Sequence, residues 1–100
     1  MTPPIERPTT YDSDNWELTG PSSKKRTLPE RSHEFMMCLL KHPNTMVPKE
    51  EFLKIFGGNK DQVRVYATKM RKIFKAIDAP LRIDNKYGKG YTLKGLINLI

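Results

Sequence analysis

Cysteine, histidine and long apolar runs are all scarce in this sequence of 100 residues. Cys38 is the single cysteine, which excludes an internal disulfide and a cysteine-rich metal site, and His33 and His42 are the two histidines. We therefore expect neither a zinc site nor any other cofactor. No apolar run approaches the roughly 18 residues of a membrane span, and the N-terminus lacks the apolar stretch of a signal peptide. These absences predict a cytoplasmic protein.

Acidic residues are scarce in the second half of the chain. Residues 1–57 contain eight basic and eight acidic side chains, which cancel, so residues 58–100 carry the whole net charge of +7. An uneven distribution of this kind is typical of a protein that binds a polyanion, such as nucleic acid or an anionic membrane surface. The length fits one domain with one modest core.

A basic helix is predicted over residues 62–77, QVRVYATKMRKIFKAI. At about 100° per residue, its apolar side is formed by Val63, Tyr66, Ala67, Met70, Ile73, Phe74 and Ile77. Its polar side is formed by Arg64, Thr68, Arg71, Lys72 and Lys75. Solvated helix faces normally mix both signs of charge, whereas this one has no acidic residue after Asp61. The pattern therefore favours binding to nucleic acid over a solvated surface.

Two further helices are predicted ahead of the basic one. The first begins near Thr27 and Glu30, which have the S/T-x-x-E spacing of a capping box, and it ends at a His-Pro-Asn turn. The second, over residues 47–56, is ended by Gly57 and Gly58. Two helices joined by a few residues that contain glycine, the second of them basic, form a helix-turn-helix arrangement.

Short strands are predicted on both sides of the helices. Residues 16–18 alternate apolar and polar side chains, and residues 24–28 return as a second strand after a Gly-Pro-Ser-Ser turn. After the basic helix, residues 81–93 alternate around the segment KYGKG, which predicts a β-hairpin with a glycine-containing turn.

The two ends of the chain differ in character. Residues 1–14 are polar and contain three of the eight prolines, so we expect a flexible tail there, followed by one domain over residues 15–100. An acidic arm that competes with DNA for the basic face is the functional alternative for this tail. Residues 94–100, KGLINLI, are mostly apolar. They are expected either to pack on the domain or to form a homodimer contact, and the sequence leaves both alternatives open.

Three segments within residues 16–93 resemble the winged-helix DNA-binding domain of OmpR/PhoB-type response regulators. LLKHPNTMVPKEEFLKIFGG is similar to the end of the family's first helix, the turn and the second helix; VRVYATKMRKIF is similar to its recognition helix; and IDNKYGKGYTL is similar to its wing. The wing match is the most specific, because Gly88, Gly90, Tyr91 and Leu93 hold the diagnostic positions. The resemblance implies an α+β winged helix-turn-helix fold. It would have three helices, a C-terminal β-hairpin wing and a short N-terminal strand or hairpin.

The sequence departs from the family pattern at several positions near the expected DNA surface. Arg64 stands where the family has an acid, Lys86 replaces a valine, and Tyr87 occupies the place of a frequent wing arginine. Asp61 and Gln62 stand where Arg-Thr is common. The target DNA sequence therefore cannot be carried over from the family. No receiver domain precedes the helices in this sequence, so we expect a stand-alone regulator without phosphorylation control by that route.

The resemblance and the charge pattern together predict a sequence- or shape-selective double-stranded DNA-binding protein that regulates transcription and is nucleoid-associated. The recognition helix is expected in the major groove and the wing in the adjacent minor groove, where an A·T-rich sequence attracts cations. The candidates for contact with base edges are Lys60, Arg64 and Thr68. The candidates for contact with phosphate are Arg71, Lys72 and Lys75. The candidates on the wing are Lys86, Tyr87 and Lys89.

Other classes of function are less consistent with the sequence. No pair of carboxylates, nucleophile with a base, or metal cluster is visible, so we expect a protein that is not an enzyme. The main alternative is a winged-helix protein-interaction module that docks on RNA polymerase or another regulator through its basic face. Attachment to an anionic membrane is disfavoured, because the basic helix turns its apolar face to the core and not to lipid.

Overall fold

Three α-helices and two small β-sheets make up the fold, in a computed structural model that describes residues 8–86 and 88–100. The elements in chain order are β1 (Thr9–Asp12), β2 (Glu17–Thr19), β3 (Lys25–Thr27), α1 (Glu30–Leu40), β4 (Met46–Pro48), α2 (Lys49–Ile55), α3 (Lys60–Ala76), β5 (Arg82–Lys86), β6 (Gly90–Lys94) and β7 (Ile97–Leu99). The strand order is β3-β2-β1-β7 in the first sheet and β4-β6-β5 in the second. The α+β arrangement with three helices and a C-terminal hairpin agrees with the prediction.

The first sheet contains the predicted hairpin of β2 and β3 and two strands that were not predicted. Thr9–Asp12 pairs with β2 antiparallel and with β7 parallel. The flexible tail expected over residues 1–14 therefore does not include this strand, while residues 1–7 lie outside the described residues. The physical reason is burial: the Tyr11 side chain is fully buried, and its hydroxyl is 2.5 Å from Nδ1 of His33 on α1. Burying one tyrosine of this kind offsets much of the entropy cost of ordering the strand.

The C-terminal segment packs on the domain, which was one of its two predicted alternatives. Strand β7 lies at the edge of the first sheet beside β1. The amide of Ile100 then donates to the carbonyl of Tyr11 at 2.8 Å. The two ends of the described chain are thus held together in one sheet.

Helix α1 begins without the predicted capping box. Its N-cap is Pro29, and no side chain caps the helix. Thr27 instead lies in β3 opposite Glu17, so strand pairing sets its position. The buried side of α1 carries Phe35, which packs against Phe52 of α2 with ring centroids 4.9 Å apart.

Helices α2 and α3 form the helix-turn-helix. The turn between them is closed by the amide of Gly58, which donates to the carbonyl of Leu53 at 2.8 Å. Asn59 is the N-cap of α3, and its side chain accepts hydrogen bonds from the amides of Asp61 and Gln62. Such a cap stabilises a helix start by about 1 kcal/mol relative to alanine. None of the helices in the described part of the chain is both long and apolar enough to cross a membrane.

The second sheet joins the wing, which we define as β5, residues 87–89 and β6, to the helices. Strand β4, which was not predicted, pairs with β6 and makes this sheet three-stranded. Tyr91 of β6 packs on Phe52 with ring centroids 5.3 Å apart, so the base of the wing is part of the core. Gly90 is required here, because a Cβ at this position would lie 2.0 Å from the carbonyl oxygen of Val47.

Candidate nucleic-acid interface

Helix α3 divides into a buried and an exposed side, as its periodicity predicts. Its fully buried residues are Val63, Ala67, Met70 and Phe74, with Ile77 buried just after its end. Tyr66 and Ile73 are half-buried at the border. The predicted contact residues on the other side, Lys60, Arg64, Thr68, Arg71, Lys72 and Lys75, are all exposed. The helix therefore presents cations to solvent while its apolar side holds it on the core.

The exposed cations of α3 and the two lysines at the wing tip, Lys86 and Lys89, lack acidic partners among the described residues. The ion pairs of that part of the chain join Lys24 to Asp78, Lys25 to Glu17, Arg31 to Glu34, Lys41 and Lys54 to Glu51, and Arg82 and Lys94 to Asp84. No pair includes a cation of α3 or the lysines at 86 and 89. Within the described residues their charge is therefore not neutralised, and it can attract a polyanion.

The wing has cations paired with an acid at its base and unpaired cations at its tip. At its base, hydrogen bonding by Lys94 and the nearby charge of Arg82 hold the pKa of Asp84 below its ordinary value, so this carboxylate stays ionised and pairs with both cations. At its tip, Lys86 and Lys89 are exposed. The contrast along a single hairpin concentrates the unpaired charge where the wing projects.

The wing turn is closed by its backbone. The amide of Lys89 donates to the carbonyl of Lys86 at 2.8 Å, and Gly88 has a φ of 72°, in the left-handed region that favours glycine. The third predicted wing contact, Tyr87, lies outside the described residues. Lys86 and Lys89 are thus joined by a backbone hydrogen bond at the tip of the wing.

Arg71 has a role that the sequence did not indicate. Its Nε and Nη2 atoms donate to the carbonyl oxygen of Ile83 at 3.2 and 2.9 Å. Ile83 lies in β5, an edge strand of the wing sheet, so Arg71 ties α3 to the wing. An arginine with two donors held in this way has less freedom to follow a phosphate than Lys72 or Lys75.

The Thr68 hydroxyl also makes a hydrogen bond within the helix. Its hydroxyl donates to the carbonyl oxygen of Arg64 one turn earlier, at 3.0 Å. The hydroxyl oxygen can still accept a hydrogen bond, so Thr68 can meet a base amino group more readily than a base acceptor.

Two exposed residues of α3 were missed as site candidates. Val65 is 43% exposed, and Lys69 places its Nζ 4.5 Å from the ring centroid of Tyr66. Both positions fall on the polar side when the helix is projected at about 100° per residue, so the periodicity contained the signal. An exposed valine on this side can contact the methyl group of thymine.

The comparisons with known proteins identify the type of domain. No protein-family model matches the sequence, and no curated protein matches it. Two solved structures of protein domains are similar to it. The C-terminal domain of NsrR, described as a lantibiotic response regulator of nisin resistance, is 26% identical, with a TM-score of 0.62, over 81% of this chain and 84% of that chain.

A second solved structure shows the same fold. The DNA-binding domain of Bacillus subtilis CssR is 18% identical, with a TM-score of 0.58, over 81% of this chain and 93% of that chain. The predicted resemblance to OmpR/PhoB-type winged-helix domains is therefore confirmed. One similar structure is described as the C-terminal domain of a response regulator and the other as a DNA-binding domain, which confirms the prediction that the protein is not an enzyme.

Proposed function

We propose that this protein binds double-stranded DNA and regulates transcription, with α3 in the major groove and the wing in the adjacent minor groove. The observation that carries the proposal is the set of cations on α3 and the wing tip that have no acidic partner among the described residues, on a fold shared with the C-terminal domain of NsrR and the DNA-binding domain of CssR. Phosphate contacts supply most of the affinity of such proteins, and base contacts supply specificity. The proposed site of action is the cytoplasm, on the nucleoid.

The exposed residues of α3 are assigned to bases or to phosphate by their position along the helix. Lys60, Arg64 and Thr68 lie in its N-terminal half, which enters the major groove first in a helix-turn-helix protein. We assign them to base edges, with Arg64 as the long donor that suits the O6 and N7 atoms of guanine. Lys72 and Lys75 lie further along the same face, and we assign them to phosphate.

The wing is the proposed reader of the minor groove. Lys86 and Lys89 project from the turn that Gly88 closes, and Tyr87 completes the predicted set. A narrow A·T-rich minor groove has an enhanced negative potential that attracts such side chains. A preference for A·T-rich flanks is therefore part of the proposal.

Binding to a random-sequence duplex, measured by fluorescence anisotropy over a series of salt concentrations, tests the proposal. The wild-type protein should bind with steep salt dependence, and the double variant Lys72→Ala/Lys75→Ala should lower the slope by roughly two units. The matched control, Lys25→Ala/Lys54→Ala, removes the same charge from residues that are paired with acids elsewhere. Its slope should stay near wild type. Absence of wild-type binding at low salt would overturn the proposal in favour of a protein-docking module.

A further inference from the structure

A cleft of about 180 Å³ lies between the start of α2, the N-terminal half of α3 and the wing. The charged residues that line it are Lys49, Lys60, Arg64, Lys86 and Lys89. Among its described lining residues there is no Asp or Glu. The cleft thus gathers five cations from three parts of the fold, and one of them, Lys49, belongs to neither α3 nor the wing.

Strand register brings the lysines of α2 and the wing to the same end of the sheet. Gly90 of β6 is opposite Pro48 on one side and opposite Lys86 on the other. Lys49 follows Pro48 directly, and its amide donates to the carbonyl oxygen of Lys89 at 2.9 Å. The three lysines are therefore placed by backbone pairing and not by flexible side chains alone.

The positive charge in the cleft is uncompensated. Within residues 8–86 and 88–100, none of the five cations takes part in an ion pair. Lys54, on the same helix as Lys49, is by contrast paired with Glu51 at 3.6 Å. An anion in the cleft is attracted by five cations at once, which favours its binding.

The size of the cleft suits a small oxyanion. At about 180 Å³, it has room for one tetrahedral phosphate with part of its hydration. The guanidinium of Arg64 and the ammonium groups of the lysines are the donors that proteins use for phosphate oxygens.

We propose that this cleft binds one backbone phosphate of duplex DNA and that Lys49 is a further DNA-contacting residue. The proposal rests on the proposed function, because a strand that passes from a major groove occupied by α3 to a minor groove occupied by the wing crosses the cleft. Residues of α3, the wing and α2 all contact the phosphate at this crossing. It therefore fixes the register of the two groove contacts relative to each other.

The test compares Lys49→Ala with Lys54→Ala in the full chain, on a random-sequence duplex, by fluorescence anisotropy over a salt series. Loss of one phosphate contact lowers the salt slope by about 0.9, which corresponds to about an 8-fold weaker affinity near 0.1 M salt. We expect this change for Lys49→Ala and a change below about 2-fold for Lys54→Ala, which removes equal charge outside the cleft. Alanine keeps the backbone amide of residue 49, so the bond to Lys89 remains. Thermal melting checks that both variants fold.

Two outcomes would overturn the inference, and both are distinct from failure of DNA binding itself. If the wild-type protein binds duplex with a steep slope but the two variants behave alike, only the cleft assignment is refuted. Titration with inorganic pyrophosphate separates a DNA phosphate from a free ligand. Weak millimolar competition with the duplex agrees with the DNA assignment. Tight micromolar binding of pyrophosphate that is lost in Lys49→Ala would assign the cleft to a free phosphate-bearing ligand instead.

Discussion

The main effect of replacing Arg71 by alanine should be a loss of folding stability, with a smaller loss of DNA affinity. The side chain donates twice to the carbonyl oxygen of Ile83, which joins α3 to the edge strand of the wing sheet. Hydrogen bonds from charged groups contribute about 1.5–3 kcal/mol, and the exposed position of Arg71 favours the lower end. A loss of about 1.5 kcal/mol lowers the Tm of a domain this size by about 6–12 °C.

Thermal melting and DNA affinity, measured together, separate the structural role of Arg71 from the phosphate contact that the sequence predicted. Arg71→Lys keeps the charge but not the paired donors, so it should lose part of the Tm while its salt slope stays near wild type. Lys75→Ala should lower the salt slope and leave the Tm near wild type, because substitutions at exposed positions without such bonds change stability by less than about 0.5 kcal/mol. If Arg71→Ala melts like the wild type and lowers the salt slope as Lys75→Ala does, the structural role is refuted.

Three further predictions concern the wing and the first sheet. Lys86→Ala/Lys89→Ala should melt like wild type and lose affinity mostly for duplexes with A·T-rich flanks. If its affinity for both A·T-rich and G·C-rich duplexes is undiminished, the wing does not contribute to DNA recognition. Gly90→Ala should cost about 3 kcal/mol in chemical denaturation, because the backbone at the clash must move, whereas Gly88→Ala should cost about 1–2 kcal/mol for its positive φ alone. Burial, with the charge of Asp12 adding to it, raises the pKa of Tyr11 from 10.0 to about 12. The unfolded chain therefore ionises first, and stability should fall as the pH rises from about 10 to about 12, less steeply in Tyr11→Phe.

The parts of the fold that were predicted have strong local signals. Helix α3 was predicted because its apolar residues repeat at helical spacing over more than four turns, and that repeat also separates its buried from its exposed side. The wing was predicted because Gly88 and Gly90 punctuate an alternating segment. In both cases the residues that set the structure are neighbours in sequence.

The parts that were missed depend on partners far along the chain. Strands β1 and β7 pair across almost the whole sequence, and β4 pairs with β6, so each strand is stabilised by a neighbour that its own few residues do not reveal. Thr27 shows the opposite error, since a local capping signal was overridden by pairing with Glu17.

The candidate site was likewise predicted only where the signal is local in sequence. The helical projection identified the exposed cations of α3, because exposure follows from periodicity. It could not show that Arg71 meets Ile83 or that Lys49 joins Lys60 and Arg64 in one cleft. Those relations arise from strand register and from the packing of α3 on the wing.

The most direct test of the central claim is an NMR titration of the isotope-labelled protein with a short random-sequence duplex at low salt. We expect amide shifts to concentrate in α3, at the start of α2 and at the wing tip, and we expect β2 and β3 to be unaffected. These shifts should disappear as salt is added, because phosphate contacts dominate non-specific binding. Shifts centred on the first sheet or on α1, or an unchanged spectrum at low salt, would contradict the claim that α3 and the wing form a DNA-binding surface.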